Sequence, residues 1–253
     1  MHERRRGQLR MFARNLPWSR LAGAAGLSAA VLAAVLLFGA GGPVPSTSRT
    51  WNFEEKRADP TELGFRLSSK QGGEWLLADH EDATDHRALV NRPGDPAAMA
   101  ASAVVDDSVT RDFRASTRCK SAGDRSQQAC GLVFRFVNHA NYYVARVDAG
   151  RNAVTLGVVV GGVERELRSV AAQVQPEVWQ EVAVVAQADY LLVSLNGQRV
   201  LSVHDPTFPG AGRVGMWAPA DGEAYFDELS LSFLPAKQFH PSDLLPIFLR
   251  RKT

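Results

Sequence analysis

The stretch CGLVFRFVNHANYYVARVD, residues 130–148, decides the fold. Leu132, Phe134 and Phe136 alternate with Val133 and Arg135. A period of two in aromatic and β-branched residues marks a half-buried antiparallel strand. Residues 137–141, VNHAN, supply a turn, and residues 142–147, YYVARV, run back as a second strand. The remainder of the second half reads as strands added around this hairpin.

Working outward, residues 153–160 and 163–170 flank Gly161-Gly162 and form another hairpin. Residues 179–186 read as a strand with Trp179, Glu181, Ala183 and Val185 on one face. Residues 190–195 and 198–203 are joined by Asn196-Gly197, the pair that supplies the positive φ angles of a type I′ turn. Residues 214–217 and 225–233 add the last strands. Upstream, short strands are expected around Trp51, Phe65, Trp75 and Leu89, with a long one over 109–117. Residues 96–105 are ambiguous: their alanines favour helix and their position favours strand, which is the reading adopted. About twelve to fourteen evenly spaced strands without a helical period predict an all-β, two-sheet antiparallel jelly-roll sandwich.

The chain has 253 residues, 45% hydrophobic and 22% charged, an ordinary globular balance. Its net charge of +2 conceals an asymmetry. Residues 1–20 hold six arginines and one glutamate, leaving 23 basic and 26 acidic residues of the 29 and 27 in the whole chain. A mildly acidic body gives no footprint for nucleic acid, which demands a basic surface.

Residues 21–42, LAGAAGLSAAVLAAVLLFGAGG, carry no charge and one serine. About 20 apolar residues at ~1.5 Å each span the ~30 Å hydrocarbon layer. Arginines precede this run, which predicts a cytoplasmic N-terminus and an extracytoplasmic body. A cleaved signal peptide is the competing reading. It needs small residues at −3 and −1, and Phe38 before Ala40 and Pro43 after Gly42 make poor sites. The expected organisation is a basic cytoplasmic segment at 1–20, a single transmembrane signal anchor at 21–42 and a Pro/Gly/Ser linker at 43–49. The jelly-roll domain covers 50–235 and a tail covers 236–253. The expected location is the inner membrane, with the body in the periplasm or outside. The tail ends LLPIFLRRKT, apolar and basic but interrupted by Pro246. It is read as a disordered end or strap, with contact to a membrane surface as the alternative.

Cys119 and Cys130 are the only cysteines, separated by the polar run KSAGDRSQQA. Strand ends facing each other across a hairpin satisfy disulfide geometry, and an extracytoplasmic compartment permits oxidation. A disulfide is expected, with two free thiols as the alternative. Two cysteines with no nearby histidine pair do not make a zinc site.

GLVFRF at 131–136 followed by NYYVARV at 141–147 resembles the bacterial 3-keto-disaccharide hydrolase-type domain. That domain belongs to the concanavalin A-like lectin/glucanase superfamily, with LamG-like jelly rolls. The likeness continues through Trp179, Leu195-Asn196-Gly197, FPGAGRVG at 208–215 and FDEL at 226–229, and covers roughly residues 50–234. The resemblance implies a two-sheet jelly roll whose concave face takes glycans. Fold alone does not imply an activity.

A glucanase of that superfamily would align carboxylates as Glu-x-Asp-x-Glu, so that acid and nucleophile meet one glycosidic bond. This chain has no such run, and its catalytic residues, if any, are not identified. Glu164 and Glu166 share a face beside the Gly161-Gly162 turn and read as a solvated hairpin edge. Arg135, Arg146, Tyr142, Tyr143 and Trp217 are the candidate ligand-binding residues. Aromatic rings stack on sugar C–H faces, and guanidinium groups donate to hydroxyls or carboxylates. The competing reading packs the tyrosines in the core. Asp227 on the last strand, with Asn52 or Glu54 on the first, is the candidate for a structural Ca²⁺. The acidic run at 79–86 lacks the glycine and spacing of a calcium loop. The expected function is non-catalytic, lectin-like binding of a glycan or another envelope component. A 3-keto-disaccharide-type glycoside hydrolase and a structural or protein-interaction domain of the cell envelope are the alternatives.

Overall fold

A computed structural model describes residues 47–54, 59–68, 72–98, 100–123 and 127–235. The anchor expected at 21–42 and the tail at 236–253 lie outside the described residues. Among the described residues no helix is long and apolar enough to cross a membrane.

The strands assemble into two antiparallel sheets. The larger contains β3 (Glu74–Asp79), β4 (Arg87–Arg92), β6 (Phe113–Ala122), β11 (Gln180–Gln187), β12 (Tyr190–Leu195), β13 (Gln198–His204), β15 (Glu223–Phe233) and the short β1 (Ser48–Trp51). Its order is β13-β12-β11-β6-β15-β4-β3, with β1 paired to the second half of β15. The smaller contains β2 (Phe65–Leu67), β5 (Ala100–Val105), β7 (Ala129–Asn138), β8 (Asn141–Asp148), β9 (Ala153–Val160), β10 (Val163–Ala171) and β14 (Arg213–Pro219). Its order is β10-β9-β8-β7-β14-β5-β2. The three expected hairpins are present as β7–β8, β9–β10 and β12–β13. Residues 100–105 are strand, so position wins over alanine propensity.

The core lies between the sheets. Leu132, Phe134, Tyr143, Ala145 and Val147 enter it from the smaller sheet. Phe113, Ala115, Val182, Val184, Leu191, Val193, Phe226 and Leu229 meet them from the larger. Each fully buried Val, Leu or Phe among them contributes about 1.5–3 kcal/mol by leaving water.

Cys119 and Cys130 are disulfide-bonded, with Cα atoms 6.2 Å apart. Their setting differs from the expected hairpin. β6 continues beyond Cys119 to Ala122, and β6 and β7 belong to different sheets. The bond therefore spans the core and ties the two sheets together.

The alternation of β7 breaks at Arg135, which has φ of 44°. Pairing shifts there on both sides of the strand, a β-bulge that turns Arg135 inward and Phe136 out to the opposite face. Facing the bulge is Gly212, where a Cβ would sit 2.4 Å from the Arg135 carbonyl carbon. The Arg135 side chain is 1% exposed. Its guanidinium donates to the carbonyls of Phe208 (3.0 Å), Arg111 (3.2 and 3.3 Å) and Ala188. These carbonyls lie in three separate connections, so one side chain pins the loops at this end of the sandwich.

Two outcomes are expected. Reduction of the disulfide, or Cys119→Ser with Cys130→Ser, lowers unfolding free energy by about 2–3 kcal/mol in urea titrations. Arg135→Ala strands buried carbonyls and costs on the order of 3 kcal/mol. Arg135→Lys, a point charge without the fork, restores little of it. A urea midpoint unchanged in Arg135→Ala would refute the pinning role.

Candidate functional site

The structure separates the five candidate ligand residues into two groups. Arg135 and Tyr143 are on the core side. Arg135 is committed to loop carbonyls and offers no donor at a surface. Tyr143 is fully buried and stacks on Phe134 with ring centroids 5.3 Å apart. Its hydroxyl donates to Asp205 Oδ1 at 2.6 Å and accepts from the Phe208 N–H at 3.2 Å. Burial, then the Asp205 bond, pushes the Tyr143 hydroxyl up to about 12. Both side chains are interior, away from the surface on which the other three lie.

Tyr142, Arg146 and Trp217 share the outer face of the smaller sheet. They do so because neighbouring residues on a strand point to opposite faces, so Tyr142 is outward where Tyr143 is inward. Trp217 on β14 pairs with Gly131 on β7, and Gly131 pairs with Arg146 on β8. The central residue of this row has no side chain, and a Cβ there would fall 2.1 Å from the Ala145 carbonyl oxygen, so glycine lets the β8 backbone come close. The Arg146 guanidinium reaches Trp217, with Cζ 5.4 Å from the ring centroid. Arg146 Nη1 also lies 2.8 and 3.0 Å from the Glu164 carboxylate oxygens on β10. Glu164 reaches across Gly157, where a Cβ would approach its Oε1 to 2.9 Å.

Beneath this assembly are Phe136, Val133, Val144 and Tyr142, with Tyr142 and Phe136 stacked at 5.8 Å. Burial raises the pKa of the Tyr142 hydroxyl, and its contact with the Trp217 indole lowers it in part. The two rings are only 5% and 4% exposed, so they back the site more than they face solvent. The accessible chemistry belongs to Arg146 and to a groove of about 370 Å³ beside it. Gln127, Asp148, Arg151 and Glu164 line that groove with Arg146 and Trp217. Asp148 Oδ1 accepts the Arg151 N–H at 2.9 Å, and Arg151 pairs with Glu166 at 3.0 Å. Glu164 and Asp148 are thus both bonded to donors of this chain. Gln127, Asp148 and Arg151 were hidden from sequence reasoning because they meet Arg146 and Trp217 only through strand register. Glycines at alternate positions beside charged residues were the available signal.

Of the candidate cation residues, Asp227 lies on β15 of the larger sheet, and Asn52 and Glu54 follow β1. β15 bulges between Asp227 and Ser230, with Glu228 at φ of 53°, where its partner changes from β4 to β1. Asp227 is fully buried there. Its Oδ2 accepts from the Thr84 N–H (2.9 Å) and from Arg118 Nη1 (3.3 Å), while its Oδ1 is buried without a hydrogen-bond partner. The pKa of Glu54 is raised, first by a hydrogen bond with Asp85, then by desolvation and the charges of Asp85 and Asp227. The donors are all oxygens, which fits a hard cation such as Ca²⁺. Against this, among the described residues no three His, Cys, Asp or Glu side chains converge as a formed metal site.

No protein-family model matches the chain, and no curated protein matches it. Solved structures do resemble its fold. Carbohydrate binding module CBM66 from Bacillus subtilis aligns with TM-score 0.56 at 19% identity, over 67% of this chain and 95% of that one. Cellulose induced protein Cip1 aligns with TM-score 0.54 at 13% identity, over 72% and 96%. A Bacillus subtilis protein of unknown function with a galectin-like fold aligns with TM-score 0.54 at 11% identity, over 75% and 96%. At such identities the likeness establishes the fold: an all-β, two-sheet jelly-roll sandwich.

Proposed function

We propose that this chain is a carbohydrate-binding domain without catalysis, held at the cytoplasmic membrane by residues 21–42 with its body on the far side. The observation that carries the binding reading is the Arg146 guanidinium. It is stacked on Trp217, fixed by Glu164 and set at the edge of a polar groove. A guanidinium held flat by a ring presents its remaining N–H donors at little entropic cost. Glu164, Asp148 and Gln127 supply acceptors for sugar hydroxyls. The fold likeness to a carbohydrate binding module and to a galectin-like protein supports the same reading. The disulfide accords with an oxidising compartment.

The hydrolase reading of the 3-keto-disaccharide type has less support. A glycosidase places one carboxyl group free to protonate the leaving oxygen and a second across the sugar ring. In this groove Glu164 serves Arg146, and Asp148 serves the Arg151 turn.

Arg146→Ala is expected to weaken binding by tenfold or more in a glycan array followed by calorimetry on the responding sugar. Arg135→Ala, measured at a temperature where it stays folded, leaves the dissociation constant unchanged. Release of reducing sugar that survives in Arg146→Ala but vanishes in Glu164→Gln would favour the hydrolase instead.

The Asp227 region is proposed to take Ca²⁺, with Asp227 Oδ1 and the Glu54–Asp85 pair as the oxygens that a cation would draw together. The orphaned Asp227 oxygen and the crowded Glu54–Asp85 pair support this. Millimolar Ca²⁺ should raise the melting temperature by several degrees, reversibly with chelator, and Asp227→Asn should remove the increment. A melting curve indifferent to both Ca²⁺ and chelator would refute it.

A further inference from the structure

The outer face of the larger sheet holds a second cluster. Alternation along β6 puts Ser116, Arg118 and Lys120 on that face. Lys120 pairs across the sheet with Tyr225 and lies near Trp179, which stands just before β11. The Lys120 ammonium is 5.5 Å from the centroid of each of these rings, and Arg118 Cζ is 5.4 Å from that of Trp179. His80 meets both rings edge-on, at 6.0 and 4.6 Å.

Lys120 is only 4% exposed. Its Nζ lies 3.9 Å from both Asp82 Oδ2 and Glu177 Oε2, outside hydrogen-bond range. Among the described residues it has no hydrogen-bond acceptor. An ammonium carries three donors, and Lys120 keeps them within reach of water while its stem is buried. Trp179 Nε1, in contrast, is buried without an acceptor. The donors of Lys120 and Trp179 are thus the groups of this cluster that a ligand's oxygens would take up. The two carboxylates already balance the charge at a distance, so the missing partner need not be an anion. A polar groove of about 410 Å³ continues along β6, lined by Ser116, Ser230 and Arg118 with the carboxylates of Glu54, Glu181 and Glu228.

Aromatic walls, donors without a protein acceptor and a groove of hydroxyls and carboxylates, which accept from sugar hydroxyls and repel anions, fit a neutral polyhydroxylated ligand. We infer that this face carries a second saccharide subsite centred on Lys120, Trp179 and Tyr225. The inference rests on the glycan reading of the opposite face and extends it. The two sites lie on opposite outer faces of the sandwich, so one domain engages two glycan segments at once.

The test is calorimetry of the full chain in detergent with cello-, xylo-, malto- and fructo-oligosaccharides, paired with turbidity against the matching soluble polysaccharides. The expected stoichiometry is two per chain, with cross-linking of the polymer. Lys120→Met, which keeps the stem and removes the donors, should leave one site and abolish turbidity while binding at Arg146 persists. Arg146→Ala should leave the other site. Lys120→Arg, which retains charge but re-aims the donors, should weaken the second site at least tenfold and serves where the methionine variant does not fold. One site per chain, unmoved by either Lys120 variant and lost in Arg146→Ala, overturns the inference and leaves the first site intact. A folded chain that binds no saccharide in the panel overturns both.

Discussion

A single guanidinium holds one end of this sandwich in place. Arg135 leaves the alternation of β7, turns into the interior and gathers carbonyls from the connections at 111, 188 and 208. Burying an arginine is unfavourable, and its pKa is lowered first of all by desolvation. Three fixed carbonyl dipoles offset that cost, with the nearby charge of Asp112. The consequences extend beyond the loops. The same bulge shifts the pairing of β7 with β14, so that Arg213 meets Phe136 but Gly215 meets Val133. A one-residue slip would send β14 side chains to the wrong face. The backbone bulge at 135 and the outward Trp217 opposite Gly131 thus belong to one register.

Much of the architecture was legible in the chain. Period-two alternation, Asn196-Gly197 and Gly161-Gly162 are local signals, and the hairpins they mark are present. What was not legible was non-local or locally irregular. Alternation read through Arg135 puts Phe136 beside Phe134, whereas the bulge places them on opposite faces. The cysteine pair was legible as a pair. Its role in joining the two sheets was not, because only sheet membership separates a hairpin staple from a cross-core bond. Tyr142 and Tyr143 are adjacent, so at most one could join an outer platform. Choosing between them needed the register of the turn.

Asp227 shows how a backbone irregularity creates chemistry. Where β15 exchanges β4 for β1, the ladder is interrupted and a carboxylate is buried beside the Thr84 N–H. Burying a carboxylate without full pairing is expensive. Arg118 supplies part of the compensation while also stacking on Trp179. One cation thus connects the acidic bulge to the aromatic cluster, and a change in charge at either is felt by the other.

The disulfide sits between the two faces. Cys119 is flanked by Arg118 and Lys120, which point out of the larger sheet. Cys130 is flanked by Ala129 and Gly131, and Gly131 separates Trp217 from Arg146 on the smaller one. The bond that closes the core therefore fixes the backbone beneath both side-chain clusters. Fixed donors and rings lose little freedom when a ligand arrives, so less of the contact energy is spent on ordering. For sugars, whose many hydroxyls exchange water for protein at small net gain per bond, such preorganisation is the larger source of affinity available to a shallow surface.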